Sequence, residues 1–109
     1  MQNNRTIRNA FIMKLKPGFE TEYKKRHQDV WPEIKLLLSD SGIQDYTIFL
    51  DEQSGTLFGC QKLCAYFDRS SLSSHPLMIK WWDFMSDIVQ TNVDNSPVAI
   101  PLEEVFHLR

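Results

Sequence analysis

The first half of the chain alternates apolar and polar residues over a short stretch and then repeats apolar residues at helical spacing. The alternation over residues 6–15 predicts a β-strand. Residues 19–38 have an apolar or aromatic side chain at every third or fourth position, which predicts one amphipathic helix. Gly42 follows this stretch and is typical of the residue just after a helix C-terminus. The apolar side of the predicted helix consists of Phe19, Tyr23, His27, Val30, Ile34 and Leu37.

The second half predicts two strands, a helix and a last strand. Strands over 44–51 and 56–67 are joined by four residues ending in Gly55, which is a hairpin signal. Residues 70–89 are predicted to be helical in two pieces, because Pro76 can begin a helix but not continue one. A polar loop leads to a predicted strand over 103–108. The order β-α-β-β-α-β predicts a ferredoxin-like α+β fold, in one domain over residues 1–109.

The two middle strands carry apolar residues at both parities. A sheet with helices on one side and water on the other normally alternates cleanly between apolar and polar residues. Phe49 and Phe58 instead lie at the parity opposite to that of Ile48 and Leu57. Because the helices cover only one face, we expect a second copy of the chain to cover the other. The sequence thus predicts a sheet-to-sheet homodimer, a dimeric α/β barrel.

Charge and composition are those of an ordinary globular protein. The chain of 109 residues is 42% hydrophobic and 24% charged, with a net charge of −2. This charge gives no reason to expect nucleic acid or an anionic membrane as a partner. The basic cluster at 24–26 is predicted to be the solvated side of the first helix.

The location of the protein is predicted from segments that the sequence lacks and from its cysteines. No apolar run approaches the roughly 18 residues of a membrane span, and residues 1–10 have no apolar core of a signal peptide. Cys60 and Cys64 fall about 13 Å apart along one predicted strand, too far for a disulfide. Two free thiols and no signal peptide predict a cytoplasmic protein.

His27 is an ionisable side chain on the apolar side of a predicted helix. Its position alone fits a structural histidine that bonds a backbone carbonyl. Three features favour proton transfer instead. Tyr23 lies one turn earlier on the same side, and Pro32 interrupts the helical hydrogen bonds just beyond. Imidazole also has an ordinary pKa of about 6.5, which suits proton transfer near neutrality.

Three other aromatic residues are candidate ligand contacts. Trp81 and Trp82 differ by about 100° in direction on a helix, so one can join the core while the other packs under the following loop or offers its face to a sugar. Tyr46 opens a strand, where packing alone would explain it. His75 and His107 have no ligand spacing with a cysteine or carboxylate. No metal site, phosphate-binding loop, nucleophile elbow or dinucleotide fingerprint is predicted.

Five stretches follow one another along nearly the whole chain: AF-M at 10–13, EYKKRHQDVWPEI at 22–34, DYTIFLD at 45–51, KWWDFM at 80–85 and DNSPVAIPLEEVFHL at 94–108. In this order and at near-constant spacing, they resemble the L-rhamnose mutarotase family. The resemblance implies cytoplasmic homodimers of ferredoxin-like subunits that interconvert the α and β anomers of L-rhamnose without a cofactor. It also implies His27 as the catalytic proton donor and Tyr23, Tyr46, Trp81 and Trp82 as substrate contacts.

The sequence leaves the sugar and the second proton-transfer group open. Residues 70–79 depart from the family's more regular helical run just before the tryptophans, so another neutral sugar, such as L-fucose or L-lyxose, is an alternative substrate. Dimeric ferredoxin-like subunits also serve as cofactor-free monooxygenases, haem-binding proteins and ligand-sensing modules of regulators. A carboxylate, a tyrosine or water could each act as the base.

Overall fold

The computed structural model describes residues 6–109; residues 1–5, where part of the signal-peptide prediction falls, lie outside it. The strands form one antiparallel sheet in the order β2-β3-β1-β4, which confirms the ferredoxin-like fold. No helix within residues 6–109 is long and apolar enough to cross a membrane. The elements are β1 (Thr6–Lys14), α1 (Glu20–Gln28), α2 (Pro32–Asp40), β2 (Ile43–Asp51), β3 (Thr56–Cys64), α3 (Arg69–Ser73), α4 (Pro76–Met85) and β4 (Ile100–Leu102).

The prediction of one helix over 19–38 is wrong, because the structure has two. α1 ends at Gln28, and Pro32 is the first residue of α2. Proline has no N–H and excludes helical backbone from the residue before it, and Trp31 accordingly has φ −59° and ψ 129°. His27 therefore lies in the last turn of a short helix. The predicted break at Pro76 is confirmed, since α4 begins there.

The predicted last strand over 103–108 is also wrong. β4 is Ile100–Leu102, paired with residues 10–12 of β1, and residues 103–109 are exposed without regular structure. Alternation of apolar and polar residues indicates only that a segment can adopt an extended conformation. A strand also needs a neighbouring strand to pair with, and the pairing with β1 stops at Leu102. β3 similarly ends at Cys64 and not at the predicted residue 67, because the Phe67 N–H turns back to the Cys64 carbonyl.

The helices and the loop after α4 pack on one face of the sheet and enclose the core there. The other face carries a row of apolar side chains that are neighbours in register: Phe49, Phe58, Ile12 and Ile100. Phe49 is 62% exposed and Ile100 52%. The buried core cluster consists of Met13, Leu15, Tyr23, Ile34, Leu57, Met78, Trp81, Met85, Ile88 and Val89.

Candidate active site

A cavity of about 1280 Å³ lies between the helices and the sheet. Small-molecule sites commonly measure roughly 300–1,000 Å³, so this one has room for a monosaccharide. Its lining includes residues from α1, β2 and α4 that are far apart in sequence. All five of the predicted site residues are among them: Tyr23, His27, Tyr46, Trp81 and Trp82.

α1 places Tyr23 and His27 one turn apart with their rings stacked, at 4.2 Å between centroids and 26° between planes. His27 Nδ1 lies 3.3 Å from the Tyr23 carbonyl oxygen. Since a carbonyl oxygen only accepts, Nδ1 carries the proton and donates it to this bond. Nε2 of the neutral ring then keeps a lone pair. The backbone bond that position alone suggested is present, and it leaves one ring nitrogen available for chemistry.

Burial sets the protonation of the ring and of the two tyrosines. It lowers the pKa of His27 below the ordinary 6.5, and the bond to the Tyr23 carbonyl opposes this only in part. Burial raises the pKa of Tyr46 to about 12, although 37% of the residue as a whole is exposed. Burial, and secondarily the nearby Tyr46, also raise the pKa of Tyr23. At neutral pH the imidazole is therefore neutral and both phenols are hydroxyl donors.

The two tryptophans have different surroundings. Trp81 is buried and forms a T-shaped pair with His27, with ring centroids 5.7 Å apart and planes at 83°. Trp31 forms a T-shaped pair with Trp81, with ring centroids 5.0 Å apart. Sequence reasoning missed this contact, because the only signal for it was an aromatic residue next to Pro32. Trp82 is half-buried on the cavity wall. Trp81 thus holds the histidine in place, and Trp82 is the tryptophan with more free surface.

A β-bulge determines where Tyr46 points. Gln44 pairs with Lys62 and Thr47 pairs with Cys60, so that Asp45 and Tyr46 together oppose one residue of β3. Asp45 has φ 51°, in the left-handed region that bulges and turns use. The bulge brings Tyr46 to the helix side of the sheet, where it lines the cavity.

Two amide side chains in the cavity were missed by sequence reasoning. Asn9 and Gln61 are register partners on β1 and β3, and Asn9 Nδ2 donates to Gln61 Oε1 at 3.0 Å. Both line the cavity, and Gln61 is only 8% exposed. The sequence held one signal for this pair. Asn9 lies on the same side of its strand as Phe11 and Met13 and is polar where the other two are apolar.

The prediction that the basic cluster is merely solvated is wrong for Arg26. Its side chain is 14% exposed and donates to both carboxylate oxygens of Asp87, at 2.8 and 3.1 Å. It also donates to Glu22 and to the Phe84 carbonyl, each at 2.8 Å. Arg26 thereby fastens α1, which carries His27, to the end of α4 and the turn that follows.

The loop after α4 closes one end of the cavity. Asn95 Nδ2 donates to Asp83 Oδ1 at 3.0 Å, which ties the loop to the helix beside Trp82. Asn92, Asn95 and Ser96 line the cavity and add polar groups to it. In the part of the chain that the structure describes, no three His, Cys, Asp or Glu side chains come together as a metal site.

Comparison with known proteins assigns the chain to a family. Residues 8–108 match the family model described as L-rhamnose mutarotase. A protein of Flavobacterium johnsoniae named L-rhamnose mutarotase is 69% identical over 102 residues, which cover 94% of this chain and 95% of that one. Its namesake from Phocaeicola vulgatus is 52% identical over 101 residues, 93% of this chain and 97% of the relative.

A solved structure agrees with these matches. The crystal structure of L-rhamnose mutarotase from Formosa agariphila is similar to this chain with a TM-score of 0.87 and 51% sequence identity. The match covers 94% of this chain and 99% of that one. Neither the other neutral sugars nor the monooxygenase and haem-binding alternatives are favoured by any of these relatives. The chain therefore belongs to the L-rhamnose mutarotase family.

Proposed function

We propose that the protein is an aldose mutarotase that interconverts the α and β anomers of L-rhamnose. The observation that carries this proposal is an imidazole, His27, with one ring nitrogen free, in the wall of a cavity large enough for a monosaccharide. The names of its relatives identify the sugar, because they are L-rhamnose mutarotases over nearly their full length.

Anomer exchange needs only proton transfers. His27 Nε2 takes the proton of the anomeric hydroxyl while the bond between C1 and the ring oxygen breaks, so that C1 becomes an aldehyde carbon. The imidazolium then gives this proton to the ring oxygen, which completes the open-chain sugar. Rotation about the C1–C2 bond and the reverse transfers close the ring on the other face. In this scheme His27 is the proton donor that the family resemblance implies, and it receives its proton from the substrate.

The aromatic residues bind and orient the sugar in this proposal. The hydroxyls of Tyr23 and Tyr46 stay protonated across the range in which His27 titrates, so both can donate hydrogen bonds to sugar oxygens. Trp82 offers a flat face to the C–H side of the pyranose. Trp81 packs in a T-shaped arrangement against His27 and limits the rotation of the imidazole.

The variant His27→Asn tests this assignment. Freshly dissolved α-L-rhamnose is followed by optical rotation, or by exchange between its anomeric proton signals in NMR. A positioned acid or base contributes roughly 10²- to 10⁴-fold, and we expect the variant to lose acceleration on that order. His107→Asn, in the exposed C-terminal tail, is the matched control and should keep the wild-type rate. Equal rates for His27→Asn and wild type would exclude His27 as the proton-transfer group.

The same assay compares sugars. We expect L-rhamnose to be equilibrated faster than L-fucose or L-lyxose at equal protein concentration. A titration with haemin addresses the haem-binding alternative, and we expect no shift of the Soret band.

The assembly and location are part of the proposal. We propose a homodimer in which the exposed apolar row of one sheet packs on that of a second copy, because four neighbouring strands contribute apolar side chains to it. We also propose a cytoplasmic location, which the two free thiols, Cys60 and Cys64, support.

A further inference from the structure

The cavity contains a polar row that crosses three strands of the sheet. Asn9 on β1 pairs with Gln61 on β3, and the bulge of β2 places Tyr46 on the other side of Gln61. The side chains on the next two levels of this face are apolar or glycine. They are Phe11, Gly59 and Ile48, followed by Met13, Leu57 and Leu50. Polar groups on the sheet side of the cavity are thus concentrated at the level of Tyr46.

In each of the two amides, one polar atom makes no hydrogen bond to another described residue. The bond from Asn9 Nδ2 to Gln61 Oε1 occupies one donor and one acceptor. Asn9 Oδ1 and Gln61 Nε2 have no hydrogen bond to other described residues. Over residues 6–109 no fully buried side-chain nitrogen or oxygen lacks a partner. Gln61 Nε2 is therefore not sealed in the core, and since the residue lines the cavity, the little surface that Gln61 retains opens there.

The chemical character of the pair does not depend on how its amides are oriented. Exchanging oxygen and nitrogen in both side chains reverses the bond between them, and Gln61 then donates to Asn9. In either orientation one amide oxygen and one NH2 group make no hydrogen bond to another described residue. The pair consequently always offers the cavity one accepting oxygen and one donating NH2 group, side by side on neighbouring strands.

We propose that Asn9 and Gln61 bind two adjacent hydroxyl groups of the pyranose, an assignment that rests on the proposed mutarotase function. One hydroxyl donates to the free amide oxygen, and its neighbour accepts from the free amide N–H. His27 lies on the helix side of the cavity and the amides on the sheet side. The pair therefore holds hydroxyls remote from the anomeric carbon and acts on sugar affinity and sugar choice, not on proton transfer.

The variant Gln61→Met tests the pair, because methionine keeps the length of glutamine and removes both polar atoms. A hydrogen bond between neutral groups contributes about 0.5–1.5 kcal/mol, which corresponds to about 2- to 12-fold in affinity. We expect KM for L-rhamnose to rise by that factor, with kcat within about twofold of wild type. Gln53→Met is the matched control, since Gln53 is exposed in the β2–β3 turn and does not line the cavity.

Deoxygenated sugars separate direct contact from a general disturbance of the site. Wild type and Gln61→Met are compared on L-rhamnose and on its 2-, 3- and 4-deoxy derivatives. If Gln61 binds one hydroxyl, the variant loses affinity for every sugar except the one that lacks this hydroxyl. Equal losses on all four sugars, or no loss on L-rhamnose, would overturn the assignment.

Two further results keep the test decisive. Asn9→Leu removes the other amide, and it replaces Gln61→Met if circular dichroism shows that the latter does not fold. We expect Asn9→Leu to keep wild-type affinity for a different deoxy sugar, the one that lacks the hydroxyl next to that bound by Gln61.

Wild type that fails to accelerate anomer exchange of L-rhamnose would overturn the proposed function itself. Wild-type activity with unaffected amide variants would overturn the amide assignment alone.

Discussion

The imidazole of His27 obtains its properties from two features of its surroundings. The Tyr23 carbonyl occupies Nδ1 and so determines the tautomer, while burial among aromatic rings lowers the pKa. The residue type and its place on the apolar side of a helix were visible in the sequence. The tautomer was not, because it depends on which ring nitrogen the side-chain rotamer directs to the backbone.

A lowered pKa predicts how the rate depends on pH. Neutral His27 is the form that takes the anomeric proton, and it is lost as the pH falls through the folded-state pKa. Because that pKa lies below 6.5, we expect kcat/KM to be level near neutrality and to decline only at a pH below 6.5. The measurement is the enzyme-dependent exchange rate across this range, corrected for the uncatalysed reaction. A rate that instead falls as pH rises through the same region would show that the free enzyme must start protonated.

At the scale of elements, sequence periodicity located β1, β2, β3 and the helical regions, but it joined α1 and α2 into one helix and misplaced the last strand and several element ends. The spacing of apolar residues and the turn residues are local features of the sequence. They correctly predicted the hairpin at Gly55 and the start of a helix at Pro76. The break before Pro32 was misjudged because apolar spacing continued across it, whereas the backbone could not. The bulge at Asp45 depends on pairing between β2 and β3, which no local pattern contains.

The attachment of α1 to the end of α4 gives a prediction about stability. Arg26→Met keeps part of the aliphatic stem and removes the bonds to Asp87, Glu22 and the Phe84 carbonyl. Asp87 is 63% exposed and its pairing is screened, so we expect a loss of only about 1–2 kcal/mol in the free energy of unfolding.

The control for Arg26 is the adjacent lysine. Lys25 is 68% exposed and lies 3.5 Å from Asp29, so Lys25→Met should change stability by less than about 0.5 kcal/mol. Urea denaturation with an unchanged m-value measures both variants. A similar midpoint shift for the two substitutions would show that Arg26 does not fasten α1 more firmly than an ordinary surface charge does.

At the scale of the whole molecule, the sheet has two apolar faces and only one set of helices. Apolar residues at both parities of the two middle strands predicted two apolar faces before the sheet order was known. The exposed apolar row confirms that the outer face is apolar. The polar row at Asn9 could not be recognised in the same way. A polar residue at a core parity has meaning only when its cross-strand neighbours are known.

The dimer proposal predicts the effect of a charge in the exposed row. Phe49→Asp puts a carboxylate on each side of the proposed interface, where an unpaired charge and the lost aromatic contact together weaken association by roughly 2–4 kcal/mol per subunit. We expect sedimentation velocity to show a dimer for wild type and a monomer for the variant. Leu36→Asp is the control, since Leu36 is 63% exposed, as Phe49 is at 62%, but lies on α2 away from this face. All five predicted site residues come from one chain, so a folded monomeric variant should retain its exchange activity. A monomeric wild type, or a variant that remains dimeric, would exclude this face as the interface.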